Sequence, residues 1–466
     1  VATFYVQNFG CRATQADGAA IEQQLRGLGL ERAEAAIDAE VVVLNTCTVT
    51  ASADQDARAA IRKIHRGNPA CQIVVTGCYA QRAPDEIAAI PGVTRVIGNS
   101  HKHQLAEIAT ERKASNFVPL SNLASSVSPT DRIFVSDIFA HTELLAAPVF
   151  DAPNARTRPN LKLQDGCDNR CSFCVIPSVR GQSRSLPLPR ILEEVNTLVA
   201  AGYKEVVISG INLGRWGRDL PQPFRFEKLV RMILHETDLE KLRISSVEPM
   251  DWSDELISLV ADSPRIAKHA HVPMQSGSDK ILRAMHRKYR PWHYREKIEK
   301  IRAAMPDAAI GADVMTGFPG ETDEDFDETR RMIEDLPFTY LHVFTYSSRP
   351  GTTSEKMPNQ VPVHIARERN HILRDIAAKK KHAFMESFVG RTIEAITLDI
   401  KHQAKEDQST EALTDNYLKL HVPGNHKPNQ WLHVQITDCT NDALLGVVQH
   451  VAAYREHSMP LSSQSA

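Results

Sequence analysis

Three cysteines stand in one nine-residue stretch, Gly166-Cys167-Asp168-Asn169-Arg170-Cys171-Ser172-Phe173-Cys174. Thiolate sulfur is a soft donor that favours zinc, copper(I) or iron–sulfur clusters. A structural zinc commonly takes four protein ligands, and this neighbourhood holds no fourth Cys and no His. Iron is therefore the preferred reading, a four-iron cluster held by three thiolates with one iron left open; a zinc knuckle is the alternative. A second set of cysteines is more widely spaced. Cys11, Cys47 and Cys78 each follow an apolar run, in Asn8-Phe9-Gly10-Cys11, Asn45-Thr46-Cys47 and Thr76-Gly77-Cys78. Cys71 and Cys439 read as small buried residues.

The elements that must position these thiols are legible as patterns. Strand-like runs at 3–7, 40–44 and 72–76 alternate with helical patterns at 15–28, 52–65 and 81–90, the sign of a parallel sheet with crossover helices. Carboxyl ends of parallel strands share one edge, so Cys11, Cys47 and Cys78 are placed to meet there. After the clustered cysteines the alternation resumes, and polar or glycine-rich signals recur just past the strands. Glu205–Ser209 leads to Gly210 and Asn212, Lys241–Ser245 to Glu248, and His271-Val272-Pro273-Met274 to Gln275; Ala312–Glu321 and His342–Thr345 follow. Functional groups at strand ends are TIM-barrel logic, and about six units imply a partial barrel. Past Gly390 the period becomes two, at 392–398, 417–422 and 431–436, which argues a small antiparallel barrel. The fold class is thus α/β with three domains: 1–110, a 111–155 connector of irregular structure with Asp137 and His141 solvated, 156–386, 387–455, and a tail at 456–466.

Composition narrows the function classes. A formal net charge of −2 over 466 residues gives no global attraction to nucleic acid, so any RNA contact must come from local patches. Candidates are the run Arg283–Arg295, either a solvated helix face or a phosphate contact, and the basic helix at 367–381. The loop Glu406–Glu411 is acidic. No run approaches the ~18 apolar residues of a membrane span, and no basic-then-apolar leader opens the chain. No membrane partner is expected, and the cytoplasm is the default location. Eight cysteines are too sparse for a disulfide scaffold and point to metal in a reducing compartment. Because the chain opens at Val1, either an initiator methionine or a longer start is expected to have been lost.

The Cys-x-x-x-Cys-x-x-Cys spacing, with Phe173 before the last cysteine, resembles the signature of radical S-adenosylmethionine (SAM) enzymes. That resemblance implies that Cys167, Cys171 and Cys174 hold a catalytic 4Fe-4S cluster whose open iron chelates SAM and whose reduction yields a 5′-deoxyadenosyl radical. The Gly-Cys, Asn-Thr-Cys and Gly-Cys pieces resemble the N-terminal domain of radical-SAM methylthiotransferases. They imply a second, auxiliary 4Fe-4S cluster on Cys11, Cys47 and Cys78, carrying the sulfur to be transferred after a first SAM has methylated it. In the same resemblance Gly210, Glu248 and Gln275 lie near SAM. Ile176–Ser185 is similar to the family's Pro-x-x-Arg-Gly and Arg-Ser pattern but departs from it at Ser178, where an aromatic is usual. The last domain resembles the RNA-binding TRAM barrel. The N-terminal motifs look most like the branch acting on threonylcarbamoyladenosine, with the isopentenyladenosine and ribosomal-protein aspartate branches as rivals. The resemblance implies methylthiolation at carbon 2 of adenosine 37, the tRNA anticodon loop as partner, a flavodoxin- or ferredoxin-like electron donor and a separate sulfur source. A non-catalytic iron–sulfur RNA-binding protein is the alternative from another class.

Overall fold

Val41-Val42-Val43-Leu44 and Ile73-Val74-Val75 are unbroken apolar runs, the pattern of strands covered on both faces. The computed structural model describes residues 2–110, 132–140, 144, 158–399 and 409–451. In it these runs are the centre of a six-stranded parallel sheet. Its strands are β1 (Thr3–Asn8), β2 (Glu31–Arg32), β3 (Val41–Thr46), β4 (Gln72–Gly77), β5 (Val93–Ile97) and β6 (Ile133–Phe134), in the order β2-β1-β3-β4-β5-β6. Helix Arg12–Gly27 packs Ile21 and Leu25 against Val41, Val43 and Val74 on one face. Helix Ala51–Gly67 packs Ala57, Ile61 and Ile64 against Val42, Leu44, Ile73 and Val75 on the other. Alternate residues of one strand therefore feed two cores.

Two local expectations change. The helix expected at 81–90 is two short helices, Cys78–Arg82 and Pro84–Ala88. Proline disfavours helical backbone in the residue before it, and Ala83 has φ −138° and ψ 62°. β6 lies within the stretch expected to be irregular and extends the sheet beside β5. Asp137 is exposed there, accepting from the Phe139 N–H at 3.0 Å; His141, the 456–466 tail and residues 406–408 of the acidic stretch lie outside the described residues.

The central region carries β7 (Asn160–Asp165), β8 (Arg184–Ser185), β9 (Glu205–Gly210), β10 (Lys241–Ile244), β11 (His269–His271), β12 (Ala309–Thr316) and β13 (Tyr340–Thr345). β7, β9 and β10 pair in parallel, as do β11, β12 and β13, and a parallel bridge from Leu242 to Ile266 joins the two groups. Six parallel strands thus run in the row β7-β9-β10-β11-β12-β13, with β8 antiparallel beside β7. This is the partial barrel expected from the sequence. The run at 283–295 turns largely inward or onto the protein itself. Arg287 and Tyr289 are buried, Arg290 and Arg283 pair with Asp279, and Arg295 pairs with Asp335, while Lys288 is exposed.

Helix Val363–Glu386 leads to a closed barrel of β14 (Thr392–Thr397), β15 (Ser409–Thr414), β16 (Lys419–Pro423), β17 (Trp431–Cys439) and β18 (Leu444–Val451), in the order β14-β15-β16-β18-β17. The expected all-antiparallel arrangement is corrected at one place, where β16 and β18 are parallel. A closed ring with an odd number of strands cannot alternate direction throughout. Glu411, expected in an acidic loop, is in β15 opposite His421. Cys71 is buried as expected, whereas Cys439 is partly exposed.

Candidate active site

Cys11, Cys47 and Cys78 follow β1, β3 and β4, three neighbours in the sheet, at their carboxyl ends. The loop carrying Cys11 lies against Cys47: Gly10 has φ +94°, and a Cβ added there would sit 2.5 Å from Cys47 Cβ and 2.8 Å from its Sγ. Only glycine permits that backbone and that approach together. Cys11 is exposed, Cys47 and Cys78 are buried, and none is in a disulfide. Burial pushes the Cys47 thiol up to about 11, and the neighbouring thiols of Cys78 and Cys11 add to it. The Asn99 amide donates toward Cys78 Sγ at 3.6 Å.

Cys167, Cys171 and Cys174 lie past β7. Gly166, φ +72°, makes the turn into them, and a Cβ there would meet Gln182 O at 1.9 Å. Burial pushes the Cys174 thiol up to about 12, with Cys171 and Cys167 contributing through their charge. Polar groups surround the sulfurs. Arg287 Nη1 donates to Cys171 Sγ at 3.3 Å and its Nη2 pairs with Glu248, while Asn212 Nδ2 donates toward Cys167 Sγ at 3.6 Å. Phe173 packs edge-on against Phe318, ring centroids 6.4 Å apart. Ser178 is exposed, its hydroxyl turned back to Val175 O at 2.8 Å.

Both sets of cysteines reach one cavity of about 570 Å³, lined by Cys11 from the first set and by Cys167, Cys171 and Cys174 from the second. Phe173, Gly210, Glu248 and Gln275 line it as well. Gln275 has φ +64°, a strained backbone for a non-glycine residue. It is held there by bonds from its N–H to Asp313 O at 2.8 Å and from Met315 N to its carbonyl at 2.9 Å. Its side-chain oxygen is buried without a partner, as are Ser209 Oγ and Asn212 Oδ1, all on residues that line the cavity. Buried polar atoms are ordinarily paired, so unpaired ones aimed at a cavity mark where a ligand completes them. Burial raises the Glu248 carboxyl, and the Arg287 guanidinium opposes that rise.

Two three-thiol sets, flanked by cations and by unpaired acceptors, fit iron–sulfur clusters and a polar cofactor. Among the described residues no group of His, Cys, Asp or Glu forms a site for a single metal ion. Three cysteines on a four-iron cluster stand farther apart than ligands around one ion, and three-thiol ligation of such a cluster would leave one iron for an outside ligand.

Beneath the cavity a buried charge network joins the first two domains. Asp17 of the N-terminal domain receives Lys102 at 2.9 Å, Arg180 Nη2 at 2.9 Å and Lys162, and Asp165 receives Lys162 at 2.9 Å and Arg180 Nη1 at 2.9 Å. Burial alone would raise the Asp17 carboxyl; Lys102, Lys162 and Arg180 together hold it well below the carboxylate range. Lys102 faces one carboxylate and a nearby Arg180, so burial draws it down, whereas Lys162 has two carboxylates and is drawn up. Arg180 is also within electrostatic reach of Cys78 and Cys11.

Sequence reasoning missed part of the cavity wall: Arg12, His269, His271, Tyr340, His342 and Tyr417. His269 Nε2 meets Tyr340 Oη at 2.6 Å and Ser246 Oγ meets His271 Nδ1 at 2.6 Å. Tyr417 comes from the C-terminal barrel, at the turn between β15 and β16, and accepts from Arg12 Nη2 at 3.3 Å. Arg12 falls within the Gly10–Gln15 motif and His271 within a strand-end stretch, but neither carried a role of its own in the sequence, nor did the other four. Asn212 and Arg287 had weak signals, one beside a glycine-rich strand end and one in the basic run.

Comparison with known proteins follows the same division. The Radical SAM superfamily matches residues 161–333, and the family described as Uncharacterized protein family UPF0004 matches residues 3–98. Threonylcarbamoyladenosine tRNA methylthiotransferase of Bacillus subtilis is 36% identical over 91% of this chain and 91% of its own, and that of Aquifex aeolicus 33% identical over 92% and 99%. A tRNA-2-methylthio-N(6)-dimethylallyladenosine synthase of Thermobifida fusca is 34% identical over 85% and 78%. The fold is similar to that of the radical SAM methyltransferase TsrM from Kitasatospora setae, with TM-score 0.55 and 15% identity over 76% of this chain and 74% of that one. Among the described residues no helix is long and apolar enough to cross a membrane. With both domains matched in order and the curated relatives covered over most of their length, the chain belongs to the radical-SAM methylthiotransferase family, on its threonylcarbamoyladenosine branch.

Proposed function

We propose that this enzyme adds a methylthio group to carbon 2 of N6-threonylcarbamoyladenosine at position 37 of tRNA, using SAM and two 4Fe-4S clusters. The observation that carries the reading is the single cavity lined by Cys11 together with Cys167, Cys171 and Cys174. A radical centre and a sulfur-bearing centre must reach the same carbon, which one shared chamber permits. When bound, these groups supply reductive cleavage of SAM and the sulfur to be transferred; the difficult chemistry is the cofactors' own.

The chain's residues bind, orient and shield. Cys167, Cys171 and Cys174 would hold one cluster and Cys11, Cys47 and Cys78 the other. Glu248, kept in place by Arg287, and the unpaired oxygens of Gln275 and Ser209 are acceptors for the ammonium and hydroxyl groups of a nucleoside-like cofactor. Phe173, which lines the cavity and packs on buried Phe318, gives an apolar surface next to Cys174 that would help to exclude water. The target base has to leave its loop to enter, as enzymes acting on a base edge require. A flavodoxin- or ferredoxin-like protein would deliver electrons, a separate donor would replace the sulfur, and the cytoplasm, where tRNA is modified, would be the place of work.

The test is mass spectrometry of nucleosides from the tRNA of cells with and without the gene. The expected outcome is loss of methylthio-threonylcarbamoyladenosine with accumulation of its precursor. Loss of the isopentenyl counterpart would keep the chemistry and reject the substrate; unchanged tRNA would reject both.

A further inference from the structure

Arg12 directly follows Cys11 and opens helix Arg12–Gly27, half-buried in the cavity wall. Among the described residues no carboxylate lies within ion-pairing distance of its guanidinium, and its one side-chain hydrogen bond is to Tyr417 Oη at 3.3 Å. Arg287, the other arginine lining the cavity, and the buried Arg180 and Arg243 differ from it. Arg287 is paired with Glu248, Arg180 with Asp17 and Asp165, and Arg243 with Glu205. Of the two carboxylates lining the cavity, Glu248 is paired with Arg287, and Asp313 stands 3.4 Å from His271 Nε2. Among the described residues lining the chamber, Arg12 is thus the arginine left to meet an anion.

Its surroundings are built to hold it there. Tyr417 has φ +68° at the β15–β16 turn. The central domain clamps that turn, with Arg243 donating to Asp415 O at 3.0 Å and Thr414 O at 3.3 Å, and Lys268 N donating to Asp415 Oδ2 at 3.3 Å. A strained residue persists only where its neighbours over-determine it, and here the result is a hydroxyl fixed beside a guanidinium. Because the Tyr417 oxygen accepts from Arg12, its own proton remains free to donate. Burial first, and then neighbouring charges including Arg12, draw His269 and His342, which also line the cavity, below the usual imidazole range, which disfavours their cationic forms.

We propose that Arg12, oriented by Tyr417, receives the carboxylate of the threonyl group on the target adenosine and thereby selects an acidic N6 substituent over a hydrocarbon one. This rests on the methylthiotransferase reading above and deepens it. A guanidinium offers two parallel N–H groups that match a carboxylate, and a site built for that pairing penalises a ligand lacking it because the cation stays unpaired. An isopentenyl group would leave Arg12 desolvated with nothing to meet.

The experiment compares two synthetic anticodon stem-loops, one with threonylcarbamoyladenosine and one with its neutral carboxamide analogue. Reconstituted wild type, Arg12→Gln and Arg12→Lys proteins are assayed for kcat/KM and for RNA affinity by fluorescence anisotropy. Wild type should prefer the acid by about 10- to 100-fold, the range of a charge-assisted hydrogen bond. Arg12→Gln should shrink the preference to within about threefold, and Arg12→Lys should keep part of it, since a lysine preserves charge but not the fork. Loss of activity by equal factors on both RNAs, with the preference intact, would assign Arg12 to the clusters or SAM and overturn the proposal. Equal use of both RNAs by wild type would overturn it too. Failure of wild type to methylthiolate the acidic RNA would instead overturn the functional reading beneath it.

Discussion

Cys171 shows how much one residue carries. Its sulfur accepts from Arg287, which also holds Glu248 and lies 3.3 Å from Tyr289 Oη, so thiol, cation, carboxylate and phenol form one chain. Cys171→Ala is expected to abolish SAM cleavage while the N-terminal set still loads, so that iron in anaerobically reconstituted protein falls from roughly eight to roughly four atoms per chain. Iron falling to zero would mean that the two sets are not independent. At this scale the six cysteines stand out in the sequence, three by their close interval and three by each following a strand-like run. Arg12 and Tyr417 do not. An arginine or a tyrosine acquires a role from what surrounds it, and neither surrounding is local.

Elements are held by different means at the edge of the site and beneath it. Strand ends position the cysteines, whereas the join between the first two domains is ionic and buried. Asp17 is the hub, with three cations and about 1% of its surface exposed. Removing one partner from such a cluster leaves buried charge uncompensated. Asp17→Asn should therefore cost about 3–5 kcal/mol at neutral pH, read as a lowered Tm or denaturant midpoint. The pH dependence has a definite sign. A carboxyl whose folded value lies below its unfolded one contributes stability that is complete above the unfolded value and lost as pH falls toward the folded value. Asp17 is held well below 3.8, and Glu205, buried against Arg243 and Arg158, is lowered from 4.5 to about 2. Wild type should thus lose stability steeply as pH falls below about 4.5, and Asp17→Asn should be less stable at pH 7 but flatter across that window. Parallel slopes would mean that Asp17 does not stabilise the join. The strands and helices themselves were readable from periodicity, but Pro84 split a helix that pattern alone continued, and β6 is too short to show a period.

At the scale of the whole molecule, three domains contribute to one chamber, and a surface outside it must meet RNA. Net charge gives no general attraction, and much of the basic C-terminal helix is spent within the protein. Arg369 pairs with Glu321 and Asp323, Lys380 donates to Glu334 O and Leu336 O, and Lys381 pairs with Asp442. Arg367, Arg374 and Lys379 remain exposed. Replacing these three by Ala should weaken stem-loop binding whether or not the adenosine is modified, and lower the slope of log affinity against log salt by up to ~2. An unchanged slope would place the phosphate contacts elsewhere, with exposed Lys288, which lines a small separate pocket together with Cys171 and Glu248, the next candidate.

The sequence by itself determined the two thiol sets, the α/β alternation, the partial barrel and the closing β-rich domain. Ligand spacing and side-chain period are properties of neighbours along the chain, and they survive without a fold. Only the tertiary structure decided that the two sets open into one cavity, that Arg287 and Tyr289 turn inward from a basic run, and that a turn of the last domain supplies part of the wall. Arg12 and Tyr417 are 405 residues apart. No local pattern records such a contact, since it exists only once sheet, partial barrel and closed barrel have each buried their own faces and docked.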